Sequence, residues 1–340
     1  MSHASPGASY LNAPQHRHIY DVLQAWAVRT PEAPALLAAG RMPLTYGRLR
    51  RQIDDMVQRL RTLGVGRQDR IALALPTGPE MAVAFLAVAA GAVCAPLHAA
   101  SSPDELDAYL TDLDARTLIV LAGTETPARA MAHMRGMQII ELSPVPGAEA
   151  GLFTLTGEQL PHAGPHGFTQ PNDVALVLPT SGTTSRPRRV PLTHTNICTA
   201  ADNMRVTLAL VASDRCLNVL PFFHVHALLT ALLTSLVAGA SCVCNPGFSP
   251  AAFFAAMAEF QPTWYTAVPT LHQAILASVA QHCETIADYP LRFIRSASAP
   301  LPQRVLAELE RVFKAPVIET YGMTETAAQI TSNPLPPAPR

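Results

Sequence analysis

Two segments far apart in the chain carry side chains suited to phosphate chemistry. The first, Thr180-Ser181-Gly182-Thr183-Thr184-Ser185-Arg186-Pro187-Arg188-Arg189-Val190, follows an apolar run. Backbone amides and hydroxyls in such a loop can converge on an anion. Gly182 permits close backbone approach, and Ser181, Thr183 and Thr184 offer donors to phosphate oxygens. Gly-Lys-Ser/Thr is missing, so this is not a Walker loop, and a hydroxyl-rich loop by itself equally suits a surface turn. The second, Glu319-Thr320-Tyr321-Gly322-Met323-Thr324-Glu325, offers an aromatic ring for a base, a hydroxyl for phosphate and a carboxylate for a divalent cation. Its plainer alternative is a strand ending in a glycine turn with a helix-capping threonine. Pro221-Phe222-Phe223-His224-Val225-His226 places two histidines two residues apart. A metal pair and a satisfied core histidine at His226 both remain open there.

These groups need a large scaffold. At 340 residues the chain exceeds the usual size of one core, so two α/β lobes are expected. Hydrophobic residues make up 49% and charged residues 14%, the balance of a well-buried globular protein. The formal net charge of −1 gives no basis for a nucleic-acid or anionic-membrane surface, so anions must be held by local groups. Cys94, Cys198, Cys216, Cys242, Cys244 and Cys283 form neither a CxxC pair nor a disulfide framework, and read as reduced thiols of a cytoplasmic protein. Two apolar stretches, 81–97 and 227–244, approach spanning length. Breakers inside them predict a buried helix running into a buried strand in each case, with no membrane span.

Helix and strand alternate almost throughout, the pattern of parallel sheets covered by helices. Residues 19–29 read as a helix, and Leu49, Ile53, Val57, Leu60 and Leu63 trace one helical face between a Thr45 cap and a Gly64 stop. Ser102-Pro103-Asp104-Glu105 predicts a capping box. Strands are expected at 71–75, 93–97, 117–121, 174–178, 216–220, 241–244, 263–267, 293–296 and 317–320. Helices are expected near 80–90, 102–112, 196–205, 228–236, 250–260, 271–279 and 303–313. Residues 143–172 read mostly as connecting loop.

The string Thr-Ser-Gly-Thr-Thr-x-x-Pro, followed by Pro191-Leu192-Thr193-His194-Thr195-Asn196, resembles the phosphate loop of the adenylate-forming (AMP-binding) enzymes, acyl-CoA synthetases among them. The usual ending is Gly-x-Pro-Lys-Gly; here Arg188 keeps the charge as a planar fork and Arg189 replaces a glycine. The resemblance implies roles for the second segment: Tyr321 stacks on adenine, Thr324 bonds the α-phosphate and Glu325 binds Mg²⁺. Thr180, Ser181, Gly182, Thr183, Thr184 and Arg188 would hold phosphates. Ser298, Ala299 and Pro300, with Glu319, Thr320, Gly322 and Met323, would line the adenine pocket. His224 would lie between the acyl pocket and the thiol tunnel. His226, Tyr265, Val268, Pro269 and Ala328 would flank the acid. His224-Val225-His226, Trp264 to Thr270 and Thr331-Ser332-Asn333-Pro334-Leu335-Pro336 resemble the oxalate–CoA ligase branch, which carries a histidine where this chain has Ala328.

The implied fold is the large α/β domain of that family, two stacked subdomains of mostly parallel sheet flanked by helices. Its division would be a lead-in at 1–17, a first subdomain at 18–190, a second at 191–333 and a proline-rich end at 334–340. The family's mobile domain with its catalytic lysine would lie outside this chain, whose sole lysine, Lys314, matches no catalytic motif. The implied reaction is ATP-dependent activation of a small carboxylic acid, followed by transfer to CoA. Transfer to a carrier-protein pantetheine arm and a non-catalytic nucleotide- or acyl-binding module are the alternatives. All of this requires residues near 182 and near 324 to meet around one triphosphate and its magnesium.

Overall fold

The computed structural model describes residues 16–161, 167–179 and 188–338. Among these residues the protein contains two twisted sheets. One sheet of eight strands runs Thr331–Ser332, Val317–Tyr321, Phe293–Ser296, Trp264–Ala267, Arg215–Asn218, Ser241–Cys244, Pro34–Leu37 and Leu44–Thr45 from edge to edge. The other, of seven, runs Phe153–Gly157, Gln138–Pro144, Thr117–Leu121, Arg70–Ala74, Val93–Pro96, Val174–Pro179 and Arg189–Thr193. Both are parallel inside and antiparallel only at their outermost strands. The fold is therefore α/β, built from two mostly parallel sheets flanked by helices.

Sheet membership does not follow chain order. Pro34–Leu37 and Leu44–Thr45, near the start of the described chain, close the sheet otherwise built from residues 215–332. Arg189–Thr193 runs through position 190 as one strand of the seven-stranded sheet. Proximity along the chain cannot reveal such pairings.

Strand alternation sorts the side chains. Ile71, Leu73 and Ile119 face a continuous core that also takes Leu217 and Val243 of the other sheet. Ala72, Ala74, Leu118 and Val120 face a separate outer cluster with Leu106, Leu110 and Leu113 of helix Pro103–Leu113. Helix Pro79–Gly91 lies in the shared core and is buried at every position except Glu80. It runs directly into the buried strand Val93–Pro96, and residues 226–237 likewise lead to Ser241–Cys244. Among the described residues no helix is long and apolar enough to cross a membrane.

Local signals hold the ends of helices. Thr45 accepts from the Arg48 amide, and helix Tyr46–Thr62 stops before Gly64, whose φ is +88°. Ser102 and Glu105 form the reciprocal capping box. The six cysteines are free thiols; five are buried, and Cys283 is exposed.

A buried polar cluster ties three distant segments together. His18 Nε2 and His194 Nε2 each lie 2.9 Å from Thr169 Oγ1, and the two rings stack with centroids 3.9 Å apart. Thr169 gives its hydroxyl proton to the carbonyls of Ala89 and Ala90, so both Nε2 atoms donate. His18 Nδ1 accepts from the Tyr20 amide, capping helix Ile19–Arg29, and His194 Nδ1 accepts from the Ile19 amide. Either ring must break a backbone bond to take a second proton. Burial accordingly holds both pKa values below the usual 6.5. Because the unfolded chain binds the protons more readily, the stability contributed is whole above pH 6.5 and is lost as pH falls below it. The expected loss is about 1.4 kcal/mol per pH unit per histidine. Urea unfolding of the wild type and His194→Gln at pH 7.5 and 5.5 tests this. The variant should show a shallower pH slope by one histidine's share, and identical slopes would refute the assignment.

Candidate active site at the carboxyl ends of the eight-stranded sheet

Ligand sites of parallel α/β sheets form outside the carboxyl ends of their strands. Four adjacent strands of the larger sheet end here in chemistry-bearing loops: Arg215–Asn218, Trp264–Ala267, Phe293–Ser296 and Val317–Tyr321. The buried Asn218 side chain donates to the Leu220 carbonyl at 2.8 Å and accepts from its amide at 3.2 Å. That local bond turns the chain out of the strand into Pro221–His226. The Thr320 hydroxyl donates to the Ser296 carbonyl at 3.4 Å, and Glu319 Oε1 accepts from the Leu301 amide at 3.4 Å. Glu319 and Thr320 thus pin strand Val317–Tyr321 to both ends of the 297–300 loop.

The second motif forms the outer lip. Tyr321 is 63% exposed and Met323 44% exposed, large apolar surfaces open to a planar ligand. Thr324 is half-buried at the head of a 3₁₀ turn, Thr324–Thr326. Glu325 is exposed, with no hydrogen bond or ion pair among the described residues. The turn folds back tightly: Ile330 donates to the Tyr321 carbonyl at 2.8 Å, while Ala327 and Ala328 hold φ of +52° and +88°. Such backbone is uncommon outside glycine and clusters at functional sites. Gly322 leaves no room for a side chain, since a Cβ there would strike the Ala328 carbonyl oxygen. Gly322→Ala is therefore expected to open this turn, costing about 1–3 kcal/mol of stability and at least about tenfold in ATP affinity. Calorimetry and ATP titration check it, and a variant matching wild type in both would sink the idea.

Thr180, Ser181, Gly182, Thr183 and Thr184 lie outside the described residues. The strands that flank them are informative. Val174–Pro179 and Arg189–Thr193 pair antiparallel with Pro179 opposite Arg189, which brings the two ends of the loop together. Arg189–Thr193 also packs within 8 Å, between Cα atoms, of the Thr324–Thr326 turn. Arg188 and Arg189 help line a cavity of about 1030 Å³, shared with Arg67, Arg70, Asp112 and Asp173. Arg70, Val93 and Val174 are the first residues of their strands, whereas Arg189 lies opposite the last residue of Val174–Pro179, so this cavity runs along the sheet edge from the amino ends of the parallel strands. Arg189 pairs there with Asp112 at 2.6 Å.

The acyl side is reached through the histidines. His224 is exposed, its ring 4.4 Å from that of Phe223, and partial burial with His98 nearby lowers its pKa. His226 is buried and opens a π-helical stretch, His226–Leu233, continued by the α-turn Thr234–Val237. Thr234 donates to the Leu229 carbonyl at 2.8 Å inside that stretch. π-turns recur at functional sites. His226 Nε2 lies 2.6 Å from Thr266 Oγ1, and Nδ1 lies 3.2 Å from Ser298 Oγ. Burial, followed by Arg295, keeps its pKa well below 6.5, so the ring is neutral. Ser298 is exposed at φ +74°, and Ala299 and Pro300 are exposed beside it.

Strand parity corrects one expectation. Tyr265 points away from this site: it is fully buried, its hydroxyl meets His272 Nδ1 at 3.0 Å, and its ring packs edge-on against Phe253. Thr266, one residue on, faces the site instead. Val268 is half-buried and Pro269 begins helix Pro269–Ala277. Ala328 is half-buried in the turn, beside Gln329. Three site residues were not anticipated: Thr266, Arg295 and Gln329. The one available signal was a lone arginine in the apolar run Phe293-Ile294-Arg295-Ser296.

Residues 23–340 match the AMP-binding enzyme family, and the chain belongs to it. Among curated relatives, it is 40% identical over 321 residues to the oxalate–CoA ligase of Arabidopsis thaliana, covering 93% of this chain and 62% of that protein. It is 32% identical over 338 residues to the sulfoacetate–CoA ligase of Cupriavidus necator, covering 97% and 65% respectively. Among solved structures, ATP-bound MatB from Rhodopseudomonas palustris superposes with a TM-score of 0.80 at 27% identity, over 94% of this chain and 62% of that one. The chain therefore spans less than two thirds of the length of these relatives.

Proposed function

We propose that this chain carries the nucleotide- and acid-binding part of an ATP-dependent acid–CoA ligase. One observation carries the reading. The strand leaving the hydroxyl-rich loop packs against the turn that holds Thr324 and Glu325, at the carboxyl ends of parallel strands. A single triphosphate can then meet both motifs. The names of the relatives, oxalate–CoA and sulfoacetate–CoA ligase, support a carboxylic acid and CoA as the other substrates.

In this reading the exposed Tyr321 ring stacks on the adenine, beside Ser298, Ala299 and Pro300. Hydroxyls and amides of 180–184 hold the outer phosphates, and Thr324 bonds the α-phosphate. A carboxylate oxygen of the acid attacks the α-phosphorus, the bond to the bridging oxygen breaks, and pyrophosphate leaves with that electron pair. The acyl carbon of the resulting mixed anhydride is then attacked by the CoA thiol. The thiol proton passes to solvent, the bond between the acyl carbon and the phosphate oxygen breaks, AMP departs with that electron pair, and His224 stands at the junction of acid and thiol. Neutral His226 directs its Nδ1 proton toward Ser298, which orients the acid without contributing a charge.

A divalent cation fits the same lip. Glu325 is a carboxylate without a protein partner among the described residues, and magnesium is commonly held by one or two carboxylates plus substrate phosphates. When bound, it would offset charge on the phosphate oxygens. Calorimetric titration of the chain with Mg·ATP, and acid-dependent pyrophosphate exchange, test the reading. Absence of both would refute it.

A further inference from the structure

Gln329 is the point where the nucleotide lip touches the floor of the candidate site. It sits in the turn that begins at Gly322, and backbone bonds on either side of it close that turn. Ala328 donates to the Met323 carbonyl at 3.2 Å, and Ile330 donates to the Tyr321 carbonyl at 2.8 Å. Gly322 packs directly against it, since a Cβ there would lie 2.8 Å from the Gln329 Cα. The place of Gln329 is therefore tied to the residues assigned to the base and the phosphates. Its side chain runs inward, and Oε1 accepts from Arg295 Nη2 at 3.1 Å.

Arg295 is 1% exposed in the strand Phe293–Ser296. Its other terminal nitrogen, Nη1, donates to His226 Nε2 at 3.0 Å and to Thr266 Oγ1 at 3.3 Å. A guanidinium is a planar, rigid fork, so holding Nη2 at Gln329 sets the direction in which Nη1 points. It also only donates, so His226 Nε2 accepts and the ring proton sits on Nδ1, 3.2 Å from Ser298 Oγ. Bonds thus run from the nucleotide turn to the acid side through Gln329, Arg295 and His226. Ordering a glutamine side chain costs rotamer freedom, and a bond to a cation is strong enough to offset it.

We infer that Gln329 is a positioning residue: by holding the Arg295 fork it sets the tautomer of His226, and through its turn it makes that setting answer to the bound nucleotide. This rests on the nucleotide reading of residues 321–325. Mg·ATP held at Thr324 and Glu325 stiffens the turn, keeps Oε1 on the fork and keeps the Nδ1 proton aimed outward. Sites linked in this way act on each other reciprocally, so nucleotide and acid assist one another's binding.

The test is nitrogen NMR of the imidazole rings in wild type, Gln329→Leu and Gln329→Glu, with His226→Gln identifying the signals. Ligand-free wild type should show Nδ1 protonated and Nε2 unprotonated, and saturation with Mg·ATP should shift the Nε2 signal. Gln329→Leu keeps the bulk and deletes the acceptor, so the two tautomers should average and the Nε2 response should be lost. Gln329→Glu keeps an acceptor and should retain both features, a rescue that a packing role would not produce. Melting curves establish that the variants are folded. A wild-type Nε2 signal indifferent to bound Mg·ATP overturns the inference whether or not the variants fold. So does an unchanged tautomer and response in folded Gln329→Leu. Calorimetry in parallel separates the two readings. No heat of Mg·ATP binding refutes the nucleotide reading and this one with it, whereas binding without the Nε2 response refutes this one alone.

Discussion

Glu325→Gln should remove most of the magnesium-dependent part of ATP binding, weakening Mg·ATP by about 100-fold. The substitution keeps size and shape and deletes only the charge, so packing should not change. Glu325 is exposed on a short 3₁₀ turn with no protein partner among the described residues, and nothing else there depends on its carboxylate. The specific readout is a comparison of ATP binding with and without magnesium. In wild type the ion should raise affinity; in the variant the two titrations should nearly coincide. An undiminished magnesium effect in Glu325→Gln would show that the ion is held elsewhere and would remove Glu325 from the site.

The second large effect is on stability. Phe85→Ala should cost about 3–5 kcal/mol, the range for truncating a fully buried aromatic ring. Phe85 is 0% exposed in helix Pro79–Gly91, inside the core to which both sheets contribute. Because one core serves both sheets, the loss should appear as a lower midpoint of a single transition, about 5–15 °C in melting temperature. A variant in which one part melts early while the rest keeps the wild-type midpoint would show that the two sheets are independently stable.

Much of the scaffold was legible from local patterns. Helices Ile19–Arg29, Pro250–Phe260 and Gln303–Phe313, and strands Thr117–Leu121, Ser241–Cys244 and Phe293–Ser296, match the expected ranges residue for residue. Each is either an apolar run bounded by breakers or a helix with a clear periodic face and cap. Phe153–Gly157 and Arg189–Thr193 escaped notice. Both are antiparallel edge strands with alternating exposure, and proline, glycine and polar residues make them read as loop. Residues 143–172 therefore hold more structure than composition implied.

The site divides in the same way. Tyr321, Thr324 and Glu325 stood out as candidates because a ring, a hydroxyl and a carboxylate at short spacing sit in one contiguous motif. Thr266, Arg295 and Gln329 were not, because each gains its meaning from a neighbour dozens of residues away. Tyr265 illustrates the limit most sharply. Its segment was placed correctly, yet side chains alternate along a strand, and only the packing of Phe253 and His272 decides which face is outward.

By itself the amino-acid order determined the alternation of elements, the caps that end them and the two contiguous motifs, since all of these depend on interactions within a few residues. Tertiary structure alone decided that strands 34–45 join the later sheet, that the strand after the hydroxyl-rich segment meets the Thr324 turn, and that a cation lies buried beneath His226. Those outcomes depend on hydrogen bonds and burial between segments distant in sequence, whose free energy exists only once the two sheets have closed on a common core.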